Sequence, residues 1–219
     1  MSADTPVPRP IPESYWLVPG SLLVGEYPGS QSRAEALERL RRFLQAGVTC
    51  FVDLTEPREL PSYEPLLPFE TPDGRRVEYL REPIADHGVP ANRETMQRAI
   101  AVLDSALAAG HVVYLHCRAG VGRSATVAGC WLASHARTYD AFDELQRCWR
   151  QSVRSRDWAE VPETAEQIAY VRGWSVSAEG SMDVPGSAHD LVERARGALL
   201  GLAAGDGFGA EQPAGATAV

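Results

Sequence analysis

The stretch HVVYLHCRAGVGRS, residues 111–124, decides the fold of this chain. Residues 111–115 are apolar without alternation, which is typical of a central strand covered on both faces. Residues 124–136 carry a helical pattern, and the glycines between the two segments predict a tight loop. A strand that passes through a short loop into a helix indicates an α/β layer domain.

The same alternation extends on both sides of this stretch. Short runs rich in β-branched, aromatic or other apolar residues predict strands at residues 22–25, 49–54 and 77–80. Apolar residues at helical spacing, with capping and stop signals, predict helices at residues 32–46, 92–109, 139–152 and 164–174. The predicted fold class is therefore α/β, a central sheet flanked by helices.

Composition divides the chain into four segments. Residues 1–14 are proline-rich and predict an extended lead-in to a main domain at residues 15–174. Small polar residues predict a linker at 175–188, and an apolar helix followed by a tail is expected within 189–219.

Charge and cysteine usage narrow the function classes. A net charge of -8 without Lys/Arg clusters argues against a nucleic-acid or anionic-membrane surface. No run of apolar residues is long enough for a membrane span, and four widely spaced cysteines form neither a CxxC pair nor a metal-ligand pattern. We expect a reduced, cytoplasmic protein without a metal site, and the sequence leaves its oligomeric state open.

The loop at residues 117–123 predicts a phosphate cradle. Gly120 and Gly122 are expected to allow backbone conformations closed to other residues, so that loop amides converge on an anion at the start of the helix. A nucleotide-binding loop would need GxxxxGK[ST], and this loop has no lysine. The residues expected to bind substrate through this backbone are Arg118, Ala119, Gly120, Val121 and Gly122.

The side chains of the loop predict nucleophilic chemistry. The helix dipole, the amides and Arg123 are expected to favour the thiolate of Cys117, and the Arg123 guanidinium suits bidentate binding of phosphate. Ser124 could donate its hydroxyl to the sulfur, or cap the helix. His116 is expected to support the turn structurally, and the alternative for the whole loop is an ordinary turn with a buried core cysteine.

A general acid is needed to protonate the leaving oxygen of a phosphate ester. Asp86, in the segment EPIADHGVP, is the best-placed candidate because Gly88 and Pro90 predict an articulated loop. Its other interpretation is a solvated turn aspartate. Asp53 is the second candidate, although its place at the end of an apolar strand favours a structural role.

The loop HCRAGVGRS matches the HCxxGxxR[ST] signature, a CX5R loop, of the protein tyrosine and dual-specificity phosphatases. The segment DHGVP resembles the acid loop of the tyrosine-specific branch. The resemblance implies the cysteine-phosphatase fold and a phosphocysteine intermediate without metal or other cofactor. It makes Cys117 the nucleophile and Arg123 the phosphate clamp. It makes Asp86 the general acid and later base, and Ser124 the hydroxyl that stabilises the thiolate.

Two departures from the tyrosine-specific branch favour the dual-specificity-like group. Ile84 and Ala85 stand where that branch usually has Trp and Pro, and the predicted domain is short. The segment PETAEQ, with Gln167, resembles a loop that positions water, but a helix N-terminus explains it equally well.

The C-terminal segment ERARGALLGLAAGDGFGAE resembles the opening helix of the ADP-ribosylglycohydrolase family. The chain stops before most of that family's metal-binding aspartates, so the segment is interpreted as a truncated remnant without hydrolase activity. The other interpretation is a small-residue helix followed by a tail.

The predicted substrate is a phosphorylated protein or a small phosphate ester, with phosphotyrosine or a dual-specificity phosphoprotein favoured. The alternatives are a phosphorylated nucleotide or ADP-ribose derivative, a non-catalytic phosphate-binding module, and a rhodanese-like sulfurtransferase or arsenate reductase. The segment DHGVP argues against a sulfurtransferase or an arsenate reductase. The presence of both Cys117 and Arg123 argues against a non-catalytic module.

Overall fold

The computed structural model describes residues 7–135 and 140–174. Within them lie strands β1 (Ser14–Val18), β2 (Leu22–Gly25), β3 (Val48–Asp53), β4 (Glu78–Arg81) and β5 (Val112–His116). They form one sheet in the order β1-β2-β5-β3-β4, in which β1 runs antiparallel to β2 and all other neighbours pair in parallel. The predicted fold, a central sheet in an α/β domain, is confirmed.

Helices cover both faces of the sheet. They are α1 (Arg33–Gln45), α2 (Arg93–Ala108), α3 (Arg123–His135), α4 (Ala141–Trp149) and α5 (Ala165–Arg172), with short 3-10 helices at Glu64–Leu66 and Val153–Arg156. Helix α1 packs with an aromatic cluster on one face, and α2 to α5 pack on the other. None of these described helices is long and apolar enough to cross a membrane.

Strand β5 is central and almost fully buried. Val113 and Leu115 belong to the core under α2 to α5, whereas Tyr114 between them belongs to the aromatic cluster under α1. Both faces of the strand are thus apolar, which is why its sequence does not alternate. The end of β5 and the loop that follows it therefore lie at the edge of the sheet where the parallel strands end. In open α/β sheets, ligands bind at this edge.

Two local differences from the sequence predictions have physical causes. No strand was predicted over Ser14–Val18, and β1 depends on pairing with β2, which its own sequence does not reveal. The helix predicted to Ser152 ends at Trp149, because the chain turns and the Ser152 hydroxyl caps the next 3-10 helix at Arg154 N-H. The predicted linker and C-terminal segment, residues 175–219, lie outside the described residues.

Candidate active site

The loop of residues 117–122 joins the end of β5 to the start of α3. The N-terminus of α3 therefore points toward the loop, and its dipole and free N-H groups favour an anion there. A cavity of about 390 Å³ opens over the loop, lined by Asp86, His87, Cys117, Arg118, Ala119, Gly122, Arg123 and Glu163. Across the described ranges, no group of three or more His, Cys, Asp or Glu side chains could hold a metal ion.

The two loop glycines are required for different reasons. Gly120 has φ +76°, and a Cβ there would lie 2.5 Å from the carbonyl carbon of Gly25 at the end of β2. Gly122 does not have a positive φ, so the unusual backbone predicted there is wrong. A Cβ on Gly122 would instead lie 3.1 Å from the amide atoms of Gln167, which leaves little room for a side chain.

Cys117 lies at the base of the cavity with 3% of its surface exposed. Its Sγ is 3.4 Å from Oγ of Ser124, which is the second residue of α3, so the predicted alternative of a helix N-cap at Ser124 is wrong. The other cysteines are buried in the core, where burial raises the pKa of Cys50 and Cys148 to about 12 and that of Cys130 further. Those three therefore remain protonated thiols at neutral pH.

The Arg123 guanidinium is buried in the site and bound by carboxylates. It donates two hydrogen bonds of 2.7 Å to the two carboxylate oxygens of Glu59. It also donates to the backbone oxygen of Ile84 at 3.1 Å and lies 2.8 Å from Oδ1 of Asp86. Burial alone would lower the pKa of Arg123, but the bonds to Glu59 raise it. In turn, Arg123 lowers the pKa of Glu59.

The segment after β4 brings Asp86 to this arginine. The side chain of Asp86 is 37% exposed, and its Oδ1 also accepts a 3.1 Å hydrogen bond from the backbone N-H of His87. The Gln167 side-chain amide donates to the backbone oxygen of Gly88 at 2.9 Å. The candidate acid loop, DHGVP at residues 86–90, is thereby attached to the beginning of α5.

His116 lies beneath the loop in a buried polar network. Its Nε2 is 2.6 Å from the Tyr63 hydroxyl, and its Nδ1 is 3.3 Å from the Cys117 carbonyl oxygen. Burial lowers the pKa of His116 to about 4, so the ring is neutral at neutral pH. Burial would raise the pKa of Asp53, but nearby His116 and hydrogen bonds from Thr55 and Tyr79 lower it. Asp53 is fully buried, accepts a bond from Arg81 at the strand end and does not line the cavity.

Sequence reasoning missed Glu59, Tyr63, His87 and Glu163 as neighbours of the site. Glu59 and Tyr63 come from an irregular loop without a periodic pattern, and only the tertiary structure brings them to the CX5R loop. The segment that contains Glu163 and Gln167 did carry a signal. Gln167 forms a capping box with Thr164, which confirms the helix N-terminus, and its side chain is fully buried.

The chain matches, over residues 12–165, the family described as "PTP-SAK: Swiss Army Knife protein, DSP-PTPase phosphatase domain". It belongs to this phosphatase family. The match includes the CX5R loop, the acid loop and the start of α5, so each segment that lines the cavity lies within the phosphatase domain.

Relatives of this phosphatase domain agree with the assignment. Protein 067L of Invertebrate iridescent virus 3, whose name places it with the tyrosine phosphatases, is 35% identical over 126 residues, 55% of this chain and 46% of that protein. The phosphatidylglycerophosphate phosphatase PTPMT2 of Arabidopsis thaliana is 31% identical over 94 residues, 43% of this chain and 39% of that protein. The matched regions thus span less than half of either relative. The crystal structure of Tk-PTP in its active form has a TM-score of 0.52 at 25% identity and covers 74% of this chain and 95% of that one.

Proposed function

We propose that this domain hydrolyses phosphate monoesters, with phosphotyrosine or dual-specificity phosphoproteins as substrates, through a phosphocysteine intermediate on Cys117. The observation that carries the proposal is the cavity over the α3 N-terminus. Its lining includes a cysteine, an arginine and an aspartate, Cys117, Arg123 and Asp86, from two separate segments of the chain. Membership of the phosphatase family supports the reaction class.

The first half-reaction transfers the phosphoryl group to sulfur. Cys117 Sγ attacks phosphorus, a P–S bond forms, and the bond between phosphorus and the leaving oxygen breaks. Arg123, the α3 N-terminus and the loop backbone from Arg118 to Gly122 bind the phosphoryl oxygens. The incoming phosphate displaces Asp86 from Arg123, the freed carboxylate takes up a proton from solvent, and the resulting carboxylic acid protonates the leaving oxygen.

The second half-reaction returns the enzyme to its starting state. Water attacks phosphorus, Asp86 accepts its proton, the P–S bond breaks and inorganic phosphate leaves. The Ser124 hydroxyl, 3.4 Å from Cys117 Sγ, donates to the departing thiolate. Glu59 holds Arg123 in place throughout by its two-point ion pair.

The other functions compatible with a CX5R loop are less well supported. A sulfurtransferase or arsenate reductase would not need Asp86 beside Arg123, and a non-catalytic phosphate reader would need no acid at all. A phospholipid monoester is the second candidate substrate, favoured by the likeness to PTPMT2. A phosphorylated nucleotide or ADP-ribose derivative rests on the C-terminal segment outside the described residues and stays a prediction.

The test is hydrolysis of p-nitrophenyl phosphate by the wild-type chain and by Cys117→Ser. We expect Cys117→Ser to lose at least about a thousandfold in kcat because a serine hydroxyl in this loop is a far weaker nucleophile. Cys50→Ala is the matched control, since it removes a buried cysteine far from the loop in sequence. Rapid quench with a radiolabelled phosphate ester should trap label on Cys117. Near-normal turnover by Cys117→Ser would refute the proposal.

Substrate class is resolved by profiling the same two proteins against phosphopeptides, phosphoinositides, phosphatidylglycerophosphate and nucleotides. The proposal expects phosphopeptides to have the highest kcat/KM. A higher kcat/KM for phosphatidylglycerophosphate would replace the protein substrate with the lipid while leaving the reaction chemistry intact.

A further inference from the structure

Glu163 places a carboxylate at the mouth of the phosphate cavity. It lies just before Thr164, the N-cap of α5, and it lines the cavity with its side chain 31% exposed. A Cβ built on Gly122 would come within 3.2 Å of its Oε2. The carboxylate therefore lies directly against the CX5R loop.

Several contacts hold Glu163 in this position. The capping box between Thr164 and Gln167 fixes the first turn of α5. Gln167 then binds the backbone oxygen of Gly88, and His87 Nδ1 lies 3.4 Å from Glu163 Oε2. The start of α5 and the acid loop are consequently joined around the carboxylate, which limits its freedom to turn away from a bound substrate.

The neighbouring carboxylates of the site are compensated by guanidinium groups, whereas Glu163 is not. Glu59 and Asp86 both lie within ion-pair distance of Arg123, at 2.7 and 2.8 Å. The Arg118 cation also acts on Glu59, adding to the lowering of its pKa that Arg123 causes. In the part of the chain that the structure describes, the basic partner of Glu163 is the exposed imidazole of His87 alone.

A carboxylate that has no guanidinium partner and lies next to a phosphate cradle has a predictable effect on the substrate. It repels a second anionic group that lies beside the bound phosphate, and it attracts a cation or a hydrogen-bond donor in that position. Specificity then arises from both an attractive and a repulsive element at one residue.

We propose that Glu163 is a specificity-determining residue that selects phosphopeptides with a basic residue beside the phosphorylated side chain and rejects those with an acidic one. The inference rests on the proposed phosphatase function. It narrows the substrate class to phosphorylated sites in basic surroundings and disfavours multiply phosphorylated compounds.

The experiment compares three phosphotyrosine peptides of equal length that carry Lys, Ala or Glu on both sides of the phosphotyrosine. We measure kcat/KM for the wild-type chain, for Glu163→Gln, and for the control Glu166→Gln. Glu166 is an exposed glutamate of the same helical turn that does not line the cavity, so its variant removes the same charge elsewhere. A singly phosphorylated and a doubly phosphorylated inositide complete the substrate set.

For the wild-type chain we expect kcat/KM to be about tenfold higher for the Lys peptide than for the Glu peptide. One partly exposed ion pair strengthens binding up to about fivefold, and one like-charge contact weakens it by a similar factor. Glu163→Gln should reduce this ratio to about twofold or threefold, and Glu166→Gln should leave it unchanged. The wild-type chain should also prefer the singly phosphorylated inositide.

Three outcomes would overturn the inference while the proposed function stands. The first is equal turnover of all peptides by a wild-type chain whose activity depends on Cys117. The second is an equal loss of kcat on every peptide in Glu163→Gln with the ratio intact, which would give Glu163 a part in the chemistry instead. The third is a preference for the doubly phosphorylated inositide over the singly phosphorylated one. Turnover that survives Cys117→Ser would overturn both proposals.

Discussion

Replacing Asp86 with Asn should strengthen phosphate binding and weaken catalysis at the same time. Asp86 Oδ1 lies 2.8 Å from the Arg123 guanidinium, which is the group proposed to bind the substrate phosphate. The carboxylate therefore competes with phosphate for one cation, and its negative charge also repels the incoming anion. The same side chain, protonated after phosphate has displaced it from Arg123, is the proposed proton donor. One substitution therefore removes both the competition for Arg123 and the proton donor.

The magnitude of each effect follows from the environment of Asp86. The side chain is 37% exposed, so its ion pair with Arg123 contributes about 1 kcal/mol. Removing this competition should tighten phosphate binding about fivefold, since about 1.4 kcal/mol corresponds to tenfold. Loss of a positioned general acid should lower kcat by about 10² to 10⁴.

Two assays separate these effects. Isothermal titration calorimetry with inorganic phosphate or tungstate measures binding by the wild-type chain, Asp86→Asn and the control Asp143→Asn. Asp143 is an exposed aspartate on α4 that does not line the cavity, so its variant changes net charge equally. Turnover of p-nitrophenyl phosphate and phenyl phosphate measures catalysis, and the loss should be greater for phenyl phosphate because phenoxide is the poorer leaving group.

Either assay can refute the reasoning. If Asp86→Asn binds phosphate no more tightly than the wild-type chain, the Arg123–Asp86 contact does not compete with substrate. If kcat falls equally for both aryl phosphates, proton donation to the leaving group belongs to another residue. Tighter binding in Asp143→Asn as well would attribute the gain to net charge alone.

Two further predictions concern residues next to Cys117. Ser124→Ala should slow release of the thiolate and lower kcat by about ten- to a hundredfold, since it removes a hydrogen bond to a charged group. Stopped-flow hydrolysis of p-nitrophenyl phosphate should then show a burst of p-nitrophenol close to one equivalent per active site. An unchanged kcat without a burst would contradict this role of Ser124. His116 should destabilise the fold in acid. Its imidazole binds a proton near the ordinary histidine pKa in the unfolded chain, whereas burial lowers this pKa to about 4 in the folded protein. The wild-type chain should therefore lose about 3 kcal/mol of unfolding free energy from this residue as pH falls from the ordinary histidine pKa to the lowered one. Urea unfolding at several pH values should show that the unfolding free energy falls less with pH in His116→Asn than in His87→Gln. Parallel pH dependences of the two variants would contradict the prediction.

The sequence was sufficient for features that depend on neighbouring residues. The strand, loop and helix around Cys117 follow from an apolar run, two glycines and a helical pattern within one continuous stretch. Four of the five described strands and most helix bounds follow from local composition, periodicity and capping residues, because hydrogen bonding and burial in each element repeat over short distances. Asp86 was identified as the acid candidate from its loop alone, and its role remains a prediction.

Only the tertiary structure decided which groups surround the reactive loop. Glu59 reaches Arg123 across 64 positions of sequence, and Gln167 reaches Gly88 across 79. The contact between Glu163 and His87 and the tight space at Gly122 arise in the same way, because the start of α5 packs against both the acid loop and the CX5R loop. Such contacts follow no sequence period, because they depend on how separate elements pack. The sequence therefore determined the CX5R loop and its proposed chemistry, whereas the packing determined the charges that a substrate meets at the cavity.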